Sequence, residues 1–358
     1  MNISQQISGW MEPLWQGNHV TDECVLFTQN SPEQSALACR LLYKPDKLFE
    51  VRSDYLDLVF EEGRDYYVED DLILRSANSR IPFFRYDELF LSKPASIPIN
   101  SSCAPGRYVR YEAGGVETLK RQIKVSYTHL GDGSFLRLPR GAQAFLPRSL
   151  EKLTGKQAFK IVFYGDSVME GCDASGRTGL APYMPPIDRL AVYKLADWYA
   201  HSKLHFVNTS VGGTMSQWGL ENLKSRVLDQ EPDLTILHFG VNDCSSGKPA
   251  ADCAANLHAM AQLLRRASHQ SEVLILTGDL PSADCNGWMG TNKDLKQAID
   301  QEISNEDGTA VLQMRDLFEQ LCTIKGYYSL TTNFVNHPND FMIRLYAQLL
   351  CSALGVYQ

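Results

Sequence analysis

Apolar and polar positions alternate in two different rhythms along this chain. From about residue 159 onward, short β-type runs at 159–164, 204–208, 234–239, 273–277 and 309–313 are separated by stretches with helical periodicity near 187–201, 217–228, 250–267 and 292–304, and a last helix is expected over 340–354. Strand and helix in alternation predict an α/β unit: a parallel sheet covered by helices on both faces, three layers in all. Right-handed crossovers then bring the carboxyl end of every strand to one edge.

Before residue 150 the rhythm is shorter. Segments such as 56–60, 65–69, 72–74, 108–111 and 122–127 alternate over a few residues and are punctuated by Glu61-Glu62-Gly63 and Asp70-Asp71. Many short strands joined by turn chemistry predict a β-sandwich or jelly-roll. The stretch 147–155 reads as a short helix or linker. The expected organisation is therefore an accessory β domain over 1–150 and an α/β catalytic domain over 151–358, with no internal repeat.

Composition narrows the partners. A chain of 358 residues is long for one core, and 44% hydrophobic with 21% charged residues is ordinary for a globular protein. The formal charge of −8 argues against a nucleic-acid partner, which calls for a basic patch. No apolar run reaches membrane-spanning length, and the start, Met1-Asn2-Ile3-Ser4-Gln5-Gln6, lacks the basic and apolar regions of a signal peptide. The sequence as it stands reads as cytoplasmic, with no membrane partner. Nine scattered cysteines without a Cys-x-x-Cys pair fit a reducing compartment. Cys172 and Cys244 are expected to be small packing residues.

The most informative stretch is Lys160-Ile-Val-Phe-Tyr-Gly165-Asp166-Ser167, where an apolar run ends at a small-residue turn carrying a serine. Open α/β sheets bind their ligands at such strand ends. Alone, Gly-Asp-Ser reads first as a helix N-cap. Three further polar islands follow: Thr209-Ser-Val-Gly212-Gly213-Thr214, Gly240-Val-Asn242-Asp243, and Asn336-His337-Pro338-Asn339-Asp340. Serine, glycine, asparagine and histidine in that order, over 159–358, resemble the four blocks of the SGNH (GDSL-like) esterase and lipase family.

That resemblance implies a serine ester hydrolase working through an acyl-enzyme. A serine hydroxyl needs a base within hydrogen-bond reach, so Ser167 is the expected nucleophile and His337 the expected base. The oxyanion would be held by the backbone N–H groups of Ser167 and Gly213 and by the side-chain amide of Asn242. Glycine at 213 is expected because a close backbone approach leaves no room for a Cβ. Asp166 and Asp243 read as turn-pinning residues, and His238 as a core residue.

One position departs from the family pattern. The acid three residues before the base is replaced by Phe334 in Asn333-Phe334-Val-Asn336-His337. Either a Ser-His dyad operates, with a backbone carbonyl or the amide of Asn333 or Asn336 holding Nδ1–H, or an acid arrives from elsewhere, Asp340 and Asp316 being the candidates. Without a neighbouring carboxylate, His337 should titrate near the unperturbed value of about 6.5.

An N-terminal β-sandwich beside an SGNH unit resembles two-domain carbohydrate esterases, which implies a carbohydrate O-acetylesterase acting on an oligosaccharide or small-molecule ester. Alternatives are a short-chain carboxylesterase, lipase or thioesterase, or a non-catalytic carbohydrate-binding protein. Tyr183, Trp218 and Trp288 are candidate sugar-stacking aromatics, and Met184-Pro185-Pro186 a candidate loop over the site. His201 and His205 stand four residues apart, but no His-Glu-x-x-His motif occurs, and neither a metal nor another cofactor is expected.

Overall fold

The computed structural model describes residues 3–94, 101–131, 136 and 138–357, so Met1 and Asn2 of the polar start lie outside the described residues. Ten short strands come first: β1 His19–Val25, β2 Leu37–Arg40, β3 Pro45–Ser53, β4 Leu58–Val59, β5 Tyr66–Glu69, β6 Leu72–Arg75, β7 Phe90–Leu91, β8 Ser102–Ala104, β9 Arg107–Val109 and β10 Ile123–His129. They pair antiparallel in three small sheets, β1-β10-β3-β4, β2-β6-β5 and β7-β9-β8. The very short strands β7 and β8 are absent from the expectation, and so are the helix Ile3–Trp10 and the strands β1, β2 and β3. Their charged and polar residues dilute the alternation by which a strand is recognised, as in His19-Val-Thr-Asp-Glu-Cys-Val25.

The second half follows its predicted rhythm closely. Strands β11 Phe159–Gly165, β12 Leu204–Asn208, β13 Leu234–His238, β14 Glu272–Leu276 and β15 Thr309–Leu312 form one parallel sheet in the order β12-β11-β13-β14-β15. All five residues of β13 and of β14 are buried, as strands covered on both faces must be. Successive side chains serve opposite layers. Ile161 and Phe163 enter the core shared with the helices Ile187–Trp198, Met314–Lys325 and Asp340–Ala353, while Val162 and Tyr164 pack against the layer of Ala250–Ala267 and Asn292–Glu302. Each such side chain, fully removed from water, contributes about 1.5–3 kcal/mol. The helix Met314–Lys325 was not among the expected elements, although Leu317, Phe318 and Leu321 repeat at helical spacing.

The first half shares its core with the second. Trp10, Val20, Val25, Val125 and Tyr127 are buried in the same apolar cluster as Phe163, Leu317 and Leu350. Glu23 of β1, fully buried, pairs with the buried Lys325 and also accepts the Tyr127 hydroxyl at 2.6 Å and the Leu42 N–H at 2.9 Å. Buried charges persist only when satisfied in this way. A smaller cluster joins Leu26, Phe84, Leu89 and Val109 to Cys285, Phe334 and Val335. Among the described residues, no helix is long and apolar enough to cross a membrane.

Candidate active site

Strand order reverses at β11, with β12 on one side and β13 on the other, and the crevice at such a switch point is where open α/β sheets hold ligands. Ser167 follows β11 directly, on a single-turn helix, Ser167–Glu170. Asp166 caps it by accepting the Val168 N–H at 3.0 Å, and its own N–H bonds the carbonyl of His238 at 3.2 Å. Gly165 lies so close to β13 that a Cβ would stand 2.3 Å from the His238 carbonyl oxygen. The small-residue turn is therefore a packing requirement, and it delivers the serine to the strand edge.

Ser167 Oγ and His337 Nε2 are 2.8 Å apart. The turn carrying His337 is built by Asn333, whose side-chain oxygen accepts the N–H groups of Val335, Asn336 and His337 at 2.9 to 3.0 Å. Asn333 donates its amide to Asn336 Oδ1. Neither asparagine holds the imidazole.

That partner is Asp173, whose Oδ2 lies 2.9 Å from His337 Nδ1, though not along a straight N–H···O line. Gly171, in the left-handed region at φ 75, turns the chain back after the helix, and a Cβ there would stand 2.3 Å from Pro186 Cβ. The reversal brings Asp173 under the histidine with its side chain almost wholly buried. With Nδ1–H facing Asp173, Nε2 is the acceptor for the serine hydroxyl. Burial opposes charging the ring, but the neighbouring Asp173 charge and contact, with a contribution from Asp166, outweigh it and raise His337 above the ordinary imidazole value.

The dyad expectation and both proposed acids are thereby corrected. Asp340 is buried but accepts the Ser175 N–H at 3.0 Å, facing Lys124 and Arg344 rather than the histidine. As the first residue of a helix, its side chain is directed by the helix start, away from the turn before it. Asp316 lies half-exposed on another helix, 3.6 Å from Lys296. Phe334, in the position of the missing acid, is fully buried at φ 66, edge-on to Phe84 at 5.0 Å.

A family model for the GDSL-like Lipase/Acylhydrolase family matches residues 163–341, half of the chain. The chain belongs to that family. In this GDSL-like acylhydrolase the match runs from within β11 into the helix Asp340–Ala353. No curated protein matches it. Among solved structures it is similar to a two-domain esterase active on acetylated mannans, co-crystallised with mannopentaose (19% identity, 60% of this chain and 54% of that chain, TM-score 0.46). It is also similar to a catalytic mutant of an acetylxylan esterase from Geobacillus stearothermophilus (14%, 55% and 94%, 0.47) and to a lipase from goat rumen metagenome (14%, 55% and 97%, 0.42). The acylhydrolase thus spans about half the length of the two-domain esterase.

A cleft of about 680 Å³ collects Ser167, Gly213, Asn242, Trp288 and His337, together with Asp173. Asn242 is steadied by donating to the Thr214 carbonyl at 2.9 Å, and Asp243 pins its turn by accepting the N–H and hydroxyl of Ser216. The reason expected for glycine at 213 is wrong. A Cβ there would meet nothing within 4 Å, and what favours glycine is φ 76. Close approach applies instead to Gly212, where a Cβ would lie 3.5 Å from Ser167 Cβ and 3.1 Å from Glu170.

Two of the three proposed aromatics lie elsewhere. Trp218 packs on Tyr164 at 6.1 Å under the Arg226 guanidinium, within the helical layer, because its position on the helix Ser216–Arg226 faces the sheet. Tyr183 is 58% exposed and lines two neighbouring cavities, since Met184 beside it is buried and tied to Ser175. The Met184-Pro185-Pro186 stretch accordingly does not cover the Ser167 cleft. Reading the sequence missed Asp173 and also Tyr111, Ala113 and Gly114, by which the N-terminal half walls the cleft. Cys172 lines it too, but burial and Glu170 push its thiol up to about 12, which keeps it protonated. Cys244 is fully buried. Among the described residues no cysteine forms a disulfide, and no group of three His, Cys, Asp or Glu side chains could hold a metal ion.

Proposed function

We propose that this acylhydrolase removes acetyl groups from a carbohydrate, with Ser167 as nucleophile, His337 as general base and then acid, and Asp173 as the carboxylate that orients the imidazole. The observation that carries the mechanism is the pair of contacts made by His337, with Ser167 Oγ at 2.8 Å and with Asp173 at 2.9 Å. His337 takes the serine proton as Oγ attacks the ester carbonyl. The tetrahedral oxyanion is held by the N–H groups of Ser167 and Gly213 and the amide of Asn242, dipoles fixed before the charge develops. Collapse expels the alcohol, which receives its proton from His337, and water reverses the sequence on the acyl-enzyme.

The leaving-group side supports a sugar. An acetyl group fills little of a cleft of about 680 Å³, and the remainder is bounded by Trp288 and Tyr111, a flat pair, and by Ser245 and Ser246. Both hydroxyls donate to backbone carbonyls, of Trp288 and Asp243; Ser245 Oγ also accepts the Asn292 amide at 3.0 Å, and each oxygen keeps a lone pair for a sugar hydroxyl. We read residues 1–150 as a jelly-roll-like accessory region that completes this wall, and 151–358 as the catalytic region. A series from p-nitrophenyl acetate to decanoate, run beside acetylated oligosaccharides, tests the reading. Acetyl should be preferred and the sugars deacetylated, with Ser167→Ala inactive on all; faster turnover of decanoate would favour a lipase instead.

A further inference from the structure

The Ser167 cleft has a neighbour. Glu170 accepts the Gly212 N–H at 2.6 Å beside the nucleophile, and also lines a second cavity of about 690 Å³ with Arg177 and Tyr183. Tyr183 lines a third as well, of about 860 Å³, between the helix Ile3–Trp10 and the β1 and β3 strands. The ring therefore stands on the boundary of two adjoining hollows, the nearer of which reaches Glu170 at the edge of the catalytic cleft.

Its backbone is unusual. Tyr183 adopts φ 63, a left-handed region that is strained for a bulky side chain and that tends to be kept where it serves a purpose. The surroundings enforce it: Tyr183 N–H bonds the Leu180 carbonyl at 2.9 Å, Met184 N–H bonds Ser175 Oγ at 2.8 Å, and Gly176 N–H bonds the Met184 carbonyl at 2.9 Å. A rigid cradle thus holds an aromatic face out in water. Such a ring is a low-entropy platform for the C–H face of a sugar.

The third cavity supplies polar partners already in place. Arg52 is fixed by Asp22 at 2.9 Å and Asp54 at 2.6 Å, and Asp22 also accepts the Trp10 indole N–H at 3.1 Å. The groups this cavity presents to a ligand are the Arg52 and Glu50 side chains, 23% and 42% exposed, since the second carboxylate oxygen of Asp54 is sealed from solvent. Asp22, Glu50, Asp54 and Asp57 outnumber Arg52 in the lining, which selects against uronic acids and other anionic sugars.

We infer that Tyr183 and the cavity containing Arg52 and Asp54 form a distal subsite that binds unreacted rings of a neutral polysaccharide while an acetylated ring occupies the Ser167 cleft. This rests on the sugar-ester reading above. The test compares kcat/KM on acetylated xylo-, manno- and cello-oligosaccharides of two and of eight rings, for the wild type, Tyr183→Gly and Tyr183→Phe. At least one wild-type series should show a preference of about tenfold or more for eight rings. Tyr183→Gly should bring that ratio close to one, while Tyr183→Phe, which keeps the flat face, should retain it.

Glycine adopts a positive φ without strain, so Tyr183→Gly should melt at or above the wild-type temperature. A lower melting temperature would mark the ring as a packing element and overturn the subsite. So would an unchanged length ratio in Tyr183→Gly, or a wild type indifferent to chain length. If no acetylated sugar of either length is cleaved while p-nitrophenyl acetate is, the sugar-ester reading itself fails and the subsite falls with it.

Discussion

Asp173 and His337 meet at 2.9 Å across the fold, the aspartate six residues after Ser167 and the histidine 170 residues after it. Asp173 enters from the turn that follows Ser167, so one short segment supplies two of the three groups in contact. Substituting Asp173 should then behave as removal of the orienting acid. Asp173→Ala is expected to lower kcat on p-nitrophenyl acetate by about a thousandfold or more, because the imidazole loses both its tautomer and the charge that stabilises its cation. Asp316→Asn and Asp340→Asn should stay within about tenfold of wild type per folded molecule, as judged by circular dichroism. A collapse in either, with Asp173→Ala active, would move the acid elsewhere.

The pH profile follows from the same contact. His337 must be neutral to accept the serine proton, and its environment holds the ring above the ordinary value. Activity should climb with pH through an inflection above about 6.5. In Asp173→Asn the supporting charge is gone while burial still opposes protonation, so the inflection of the residual activity should move to lower pH. An unshifted limb would mean that His337 does not feel Asp173.

Phe334 stands where the resemblance calls for an acid, and Phe334→Asp should not improve catalysis. The ring is fully buried against Phe84 and Tyr328, so the substitution leaves a cavity and a charge without a partner. Losses of about 3–5 kcal/mol accompany Phe deletions of this kind. Urea titration should show the fall, and a gain in kcat would refute the assignment of Asp173.

For the oxyanion site, Asn242→Ala should reduce kcat by about a hundredfold or more with little effect on KM, since the amide acts on charge that appears only at the tetrahedral stage. Steady-state kinetics on p-nitrophenyl acetate separate the two parameters. A change confined to KM would place Asn242 in ground-state binding.

Asp279 offers a stability test away from catalysis. Both its carboxylate oxygens are buried without a partner, and burial pushes its pKa up to about 8 against the pull of His238 and Arg315. The folded chain keeps a proton there that the unfolded chain releases near 3.9. Its contribution to stability is therefore complete below about 4 and is lost as pH rises toward 8. Asp279→Asn cannot ionise, so its melting temperature relative to wild type should rise steadily from pH 5 to pH 8. A constant difference across that range would show that Asp279 does not titrate in the folded state.

The sequence by itself determined the parallel sheet and its edge. The runs at 159–164 and 234–239 are apolar because β11 and β13 are covered on both faces, and a turn of small residues must follow where Gly165 touches β13. Local pattern is enough for that, and it also placed Ser167, Asn242 and His337 on strand ends or in turns. The partner of His337 was a different matter. Nothing near Asp173 in sequence announces a role, since its position depends on the reversal at Gly171 against Pro186 and on a histidine brought in from the far end of the chain. Phe334 likewise reads as a defect until Phe84 of the N-terminal half is seen packed on it. Tyr183 and Trp218 resemble Trp288 as aromatic residues near a motif, and only packing separates a ring on a ridge, a ring in the helical layer and a ring in the cleft. Strand and turn preferences are written in neighbours along the chain, whereas the acid, the cleft wall and the aromatic faces are decided by contacts between residues that only the tertiary fold brings together.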